Sequence, residues 1–171
     1  NSPFLVVFNG YLYCAYSYTG SNPGIYCCSS KDDGITWSTN PVTNTSTNTP
    51  SLFVFNQTLY CAYAQNTVFN LVTSMLNSDY INWGDASNSI GNKVICAPPV
   101  VQPATPTNSP LYMVYVAQDN SNDLYFVQSN DGIHWTGNKK LGARSQVTAS
   151  LIENNGILYV AYIMMDGTLN I

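Results

Sequence analysis

The side chains able to do chemistry are few and unevenly placed. Nine carboxylates, Asp32, Asp33, Asp79, Asp85, Asp119, Asp123, Asp131, Glu153 and Asp166, stand beside five cations, Lys31, Lys93, Lys139, Lys140 and Arg144. There is one histidine, His134, and there are five cysteines. Two carboxylates held about 5 to 10 Å apart can cleave a glycosidic bond, one as proton donor and the other as base or nucleophile. The acids here sit in turns and loops, and none falls inside the apolar runs expected to line the centre of the fold. Serine, histidine and aspartate never occur with triad logic, and no glycine-rich phosphate loop is present. Cys27 and Cys28 are adjacent, and a lone His134 beside Trp135 reads as a solvent-facing turn residue, so no metal-ligand spacing exists. No cofactor is expected.

Charge excludes further classes. Charged residues make up 8% of the chain and the net charge is -4. Lys139 and Lys140 are the sole adjacent basic pair, so neither nucleic acid nor an anionic membrane finds an electrostatic footprint. No run of about 18 apolar residues occurs, so a spanning helix and membrane insertion are not expected. The chain starts at Asn1, which suggests either a removed leader or a start inside a longer protein.

What must position these groups is a repeat. Leu12-Tyr13-Cys14-Ala15-Tyr16 returns as Leu59-Tyr60-Cys61-Ala62-Tyr63, Leu111-Tyr112-Met113-Val114-Tyr115 and Leu158-Tyr159-Val160-Ala161-Tyr162, at spacings of 47, 52 and 47 residues. A period of about 40 to 50 made of strand-like segments signals a propeller. Each phrase follows an apolar run and a short turn, Asn9-Gly10, Asn56-Gln57, Asn108-Ser109 or Asn155-Gly156. Such turns between apolar runs favour type I′ hairpins. A polar loop then leads to a third strand, and Trp37, Trp83 and Trp135 open a fourth. The fold class expected is all-β: a β-propeller of four-stranded antiparallel blades, nearly four in this chain. The blades span about 3–48, 49–97, 98–145 and an incomplete 146–171, within one domain. The ring is closed within the chain, completed by another copy, or part of a longer propeller.

Cys14, Cys61, Cys27 and Cys28 occupy repeat positions where other copies carry aliphatic residues, so they read as core. The alternative is a Cys14–Cys27 bridge across a hairpin centred near Gly20. Cys96 has no repeat partner, and an odd total argues against a full disulfide framework. Asn44-Thr45-Ser46 and Asn56-Gln57-Thr58 are glycosylation acceptors but do not decide the compartment.

Residues 30 to 37, Ser30-Lys31-Asp32-Asp33-Gly34-Ile35-Thr36-Trp37, match the Asp-box of sialidase-like propellers at every specified position. Blade three carries a looser version, Gln128-Ser129-Asn130-Asp131-Gly132-Ile133-His134-Trp135. Blade two, Ser74 to Trp83, keeps the ends with an insertion and no glycine. The unit resembles propeller repeats of secreted sugar-handling proteins and lectins. In the boxes, Asp32 is expected to cap its own turn, Gly34 to relieve the backbone, and Trp37 to pack between blades. The resemblance implies that any chemistry lies at the other end of the blades, where second-to-third loops and interblade links meet. It also implies that a sialidase needs three arginines, and this chain has Arg144 alone.

Composition points to sugar. Thirteen tyrosines and three tryptophans can stack on sugar C–H faces, and abundant amides and hydroxyls can satisfy sugar hydroxyls. The function expected is a non-catalytic, lectin-like propeller, secreted or extracellular, with glycans or glycoproteins as partners and, as one of the three options for the ring, another copy completing it. The alternatives are a protein-interaction scaffold and, least favoured, a fragment of a propeller glycoside hydrolase. The strand tyrosines are expected in the packing. The ligand-binding candidates are loop residues at the link end: Tyr18 and Asn22, Gln65 and Asn66, Gln118, Asp119 and Asp123, Asp166, and Arg144 on a link.

Overall fold

The computed structural model describes residues 2–65, 70–84, 87–94, 99–102 and 109–171. These residues are all β and contain no helix, hence none long and apolar enough to cross a membrane. Four antiparallel sheets follow one another along the chain. The first holds β1 (Phe4–Phe8), β2 (Tyr11–Tyr18), β3 (Gly24–Ser30) and β4 (Ser38–Thr43). The second holds β5 (Ser51–Phe55), β6 (Thr58–Ala64), β7 (Asn70–Met75) and β8 (Ser87–Lys93). The third holds β9 (Val100–Val101), β10 (Leu111–Val116), β11 (Asp123–Ser129) and β12 (Trp135–Arg144). The fourth holds β13 (Ser150–Asn154), β14 (Ile157–Ile163) and β15 (Leu169–Asn170). In every sheet the strands pair in sequence order, and the first strands touch from sheet to sheet, β1 with β5, β5 with β9 and β9 with β13. The chain is therefore a partial β-propeller, its first strands nearest the axis.

Local chemistry explains the hairpins. Asn9 and Gly10 adopt φ of 48° and 76°, and Asn155 and Gly156 adopt 54° and 79°, as a type I′ turn requires. Asn56 and Gln57 take the same shape at 46° and 59°, although glutamine has no glycine-like freedom. The third expected turn includes Asn108, which lies outside the described residues, as does Cys96.

Strand alternation then sorts side chains between two seams. On β6, Leu59, Cys61 and Tyr63 pack toward the first sheet with Tyr13, Ile25 and Cys27, while Tyr60 and Ala62 pack toward the third with Met113, Tyr115 and Trp135. A third seam joins Val114, Val116 and Leu124 to Leu151 and Val160. Each fully buried large apolar side chain contributes about 1.5–3 kcal/mol. Cys27 and Cys61 are thus core residues.

Two sheet faces have no such cover. Leu5 and Val7 in the first sheet are 59% and 66% exposed, and Ile152 and Tyr159 in the fourth are 63% and 40% exposed. Among the described residues, the first and fourth sheets thus each leave a face uncovered. Trp37 corrects a further expectation. Trp83 and Trp135 pack back onto the preceding sheet, whereas Trp37, in the first sheet described, is 42% exposed and folds over Gly34.

The cysteine register is also corrected. Tyr18 pairs with Gly24, leaving a five-residue loop centred on Ser21, close to Gly20 as expected but one register step from pairing Cys14 with Cys27. Cys14 therefore faces Cys28, and Cys27 faces Ala15, so a Cys14–Cys27 bridge does not fit. All four described cysteines are free thiols.

Candidate functional site

The turns between third and fourth strands are rigid and self-satisfied. Asp32 accepts the Thr36 amide at 2.9 Å, the Thr36 hydroxyl at 2.5 Å and the Ser30 hydroxyl at 2.8 Å. The Thr36 hydrogen bonds, with that of Ser30, lower its pKa to about 2. Asp131 does the same for the amides of Ile133 and His134 at 2.8 and 2.7 Å, and its other oxygen meets His134 Nδ1 at 2.6 Å. Partial burial would raise its pKa, but these bonds outweigh that and hold it well below the usual carboxylate range. A hollow of about 440 Å³ at this end is lined by Tyr11, Lys31, Asp79 and Tyr80. Asp79 is already spent on the amides of Ile81 and Asn82 at 2.9 Å each, and Tyr11 stacks on Tyr80 at 6.5 Å. That end is built for packing.

Antiparallel strands put the second-to-third loops and the sheet-to-sheet links together at the opposite end. At the axis, a mouth of about 320 Å³ is lined by Phe4, prolines 50 and 99, and the hydroxyl side chains Ser2, Thr49, Ser51, Thr148 and Ser150. Between the third and fourth sheets lies a groove of about 360 Å³ formed by Gly142, Ala143, Arg144, Tyr162, Met164, Met165 and Asp166. The groove joins the end of β12 to the loop after β14. Arg144 ties the groove to Asp123, buried at the start of β11, whose carboxylate takes Lys140 Nζ at 2.6 Å and Arg144 Nε at 3.2 Å. The Lys140 hydrogen bond holds the Asp123 carboxyl below its ordinary range, and the same bond raises the Lys140 ammonium. With only its Nε committed in that pair, Arg144 keeps outer guanidinium donors directed by a fixed stem.

Asp166 caps the groove's other wall. One carboxylate oxygen accepts the Thr168 amide at 2.9 Å and its hydroxyl at 2.7 Å, and the hydroxyl bond, the larger cause, lowers its pKa. Its second oxygen is available as an acceptor. Tyr162 supplies an aromatic face, and Met164 and Met165 supply polarisable apolar surface. The arrangement offers one ionised carboxylate, forked donors, and an aromatic wall.

The structure thus brings Asp123, Arg144 and Asp166 into one place, as three of the nine sequence candidates. Asp119 and Gln118 are in the loop leading into Asp123. Asp119 is engaged with Ser121, whose amide and hydroxyl sit at 3.0 and 2.5 Å, and the Gln118 Oε1 atom is buried with no hydrogen-bond partner. Tyr18 stands apart in the first sheet, edge-on to Tyr26 at 6.2 Å. Asn22 serves that loop through its backbone oxygen, which accepts the Tyr26 hydroxyl at 2.9 Å. Gln65 is half-buried at the end of β6, and Asn66 lies outside the described residues. Sequence reasoning missed Tyr162, Met164 and Met165. The signal was the Met164-Met165 pair, in the loop where other repeats carry Tyr18, Gln65 or Gln118.

No family model and no curated protein matches the sequence. Solved structures do match. An α-L-arabinofuranosidase from Clostridium thermocellum superposes with a TM-score of 0.67 at 18% identity, covering 94% of this chain and 60% of that one. An α-L-arabinanase from Penicillium chrysogenum, solved with arabinobiose, gives 0.65 at 18%, covering 94% and 56%. A Trypanosoma rangeli sialidase gives 0.62 at 15%, covering 96% and 34%. The chain spans about 60% or less of the length of these proteins, and at such identities the likeness is one of fold.

These matches correct the functional expectation. These three solved propellers are glycoside hydrolases, and nothing among them supports a non-catalytic, lectin-like protein or a non-enzyme. The structure puts one acid on a first strand, Glu153 on β13, where its carboxylate accepts the Gly156 amide, while Asp119, Asp123 and Asp166 lie in or at the edge of second-to-third loops.

Proposed function

We propose that this chain is a propeller of the glycoside-hydrolase kind that addresses a glycan at the link end, in the groove between the third and fourth sheets. The observation that carries the reading is the convergence of Arg144, Asp166 and Tyr162 in one groove, on a fold shared with arabinose-releasing hydrolases. Tyr162 stacks on a sugar ring, Arg144 donates to its hydroxyls, and ionised Asp166 accepts from them or activates water. We read the turns at Asp32 and Asp131 as Asp-boxes, structural staples that keep the opposite end rigid.

Glycoside hydrolysis uses two carboxylates. Asp123 is neutralised by Lys140 and Arg144, so the second acid comes from elsewhere at the link end. Completion of the ring by another copy would set that copy's link-end loops beside these, with Tyr159 of one copy meeting the turn at Asp32 of the next at the opposite end, as Tyr60 meets the turn at Asp131 within the chain. Both glycosylation acceptors, Asn44 and Asn56, are exposed, which suits a secreted protein working on external polysaccharide. The test is turnover of a chromogenic α-L-arabinofuranoside and of arabinan-derived oligosaccharides. Activity that falls at least tenfold in Asp166→Asn, with KM raised in Arg144→Ala, supports the reading. Absence of turnover in a sample that is assembled beyond one chain overturns it.

A further inference from the structure

Cys14 and Cys28 are directly opposed on β2 and β3, with their side chains on the same, uncovered face of the first sheet. Both are half-buried. The Cys28 thiol donates to the Cys14 backbone oxygen at 3.4 Å and lies within hydrogen-bonding reach of the Cys14 thiol. Directly opposed residues of an antiparallel pair have Cα atoms about 4.5 to 5.5 Å apart. That lies inside the range of about 4.4 to 6.8 Å that a disulfide spans. The other two described thiols point elsewhere. Cys27 and Cys61 are buried on the opposite side, in the seam between the first and second sheets.

We propose that Cys14 and Cys28 form a cross-strand disulfide when the protein meets an oxidising thiol buffer, a redox-formed staple tying β2 to β3. With oxidised glutathione as oxidant, one cysteine thiolate attacks a glutathione sulfur, forming a mixed disulfide and expelling one glutathione thiolate. The second cysteine thiolate then attacks the protein sulfur of that intermediate, expelling the other. One protein S–S bond forms, the glutathione S–S bond is reduced to two thiols, and the two cysteine protons end on glutathione. Burial raises the Cys28 thiol above its ordinary range, so the exchange quickens as pH rises. Cys27 is pushed up to about 12, mainly by burial, and Cys61 well above its ordinary value for the same reason, which leaves both as inert thiols.

The test folds the chain in glutathione redox buffer, alkylates the remaining thiols, and maps chymotryptic peptides without reduction. Wild type and Cys27→Ser are expected to give a linked peptide pair containing Cys14, while Cys28→Ser gives none. Oxidation should also move the denaturant midpoint of wild type upward and leave that of Cys28→Ser in place. A link that survives in Cys28→Ser, a link between Cys27 and Cys61, or full alkylation of Cys14 and Cys28 in wild type overturns the proposal.

Discussion

The Tyr60 hydroxyl donates to the backbone carbonyl of Asp131 at 3.3 Å, across the seam between the second and third sheets. Tyr13 makes the equivalent contact with the carbonyl of Tyr80 at 3.5 Å. The first tyrosine of the first and second repeats thus reaches the third-to-fourth turn of the next sheet, and Phe53 stacks on the Tyr60 ring at 5.1 Å to hold it there. Tyr159 occupies the same repeat position with no sheet beyond it.

This relationship sets a graded mutational series. Tyr60→Phe removes one hydrogen bond and is expected to cost about 1 kcal/mol. Tyr60→Ala also empties a buried aromatic site and is expected to cost about 3–5 kcal/mol. Tyr159→Ala in the isolated chain should stay within about 0.5 kcal/mol. Urea denaturation of the three variants checks the order, and equal losses at Tyr60 and Tyr159 would contradict the seam.

The turn at Gly132 is expected to be intolerant for a second reason. Its φ is 78°, and an added Cβ would meet the Tyr60 ring at 3.3 Å, whereas at Gly156, with a similar φ of 79°, it would meet nothing. Gly132→Ala should therefore be about 1 kcal/mol more destabilising than Gly156→Ala. Paired melting curves measure the difference, and a null difference would place the ring elsewhere.

The Asp32 turn predicts a pH dependence. Its pKa is lowered to about 2 from an ordinary value near 4, so the carboxylate favours the folded turn. That contribution is complete above about pH 4 and is lost as pH falls through about 2. An NMR titration of the side-chain carboxyl should find Asp32 still ionised at pH 3. Half-protonation near pH 4 would mean that the Ser30 and Thr36 hydrogen bonds are not formed in solution.

Asp123 should act as the pin of the groove. Asp123→Asn deprives both Lys140 and Arg144 of their shared anion, and the end of β12 should loosen. Amide exchange across residues 139–144 is expected to accelerate, with a smaller effect in Lys140→Met, which leaves Arg144 paired. Unchanged exchange in Asp123→Asn would show that strand pairing alone holds this wall.

Much of the architecture was legible from Leu-Tyr spacing and Asn-Gly turns, because strand alternation and positive-φ turns are local properties written in adjacent residues. Cys14 facing Cys28, where Cys27 had been expected, depended on a single loop residue, and one step of register flips the partner. Trp37 depended on a neighbour outside the first sheet. The groove was half legible: Arg144, Asp123 and Asp166 stand out as rare charges in a neutral chain. Tyr162 was hidden because its repeat equivalents serve packing, and only the seam with the third sheet exposes its ring beside Arg144.

The most direct measurement is an NMR titration of the isotopically labelled chain with arabinan-derived oligosaccharides. The account predicts saturable shifts concentrated at residues 142–144 and 162–166, reduced in Arg144→Ala, with the turns at Asp32 and Asp131 silent. Shifts confined to those turns, or none at any residue, would contradict it.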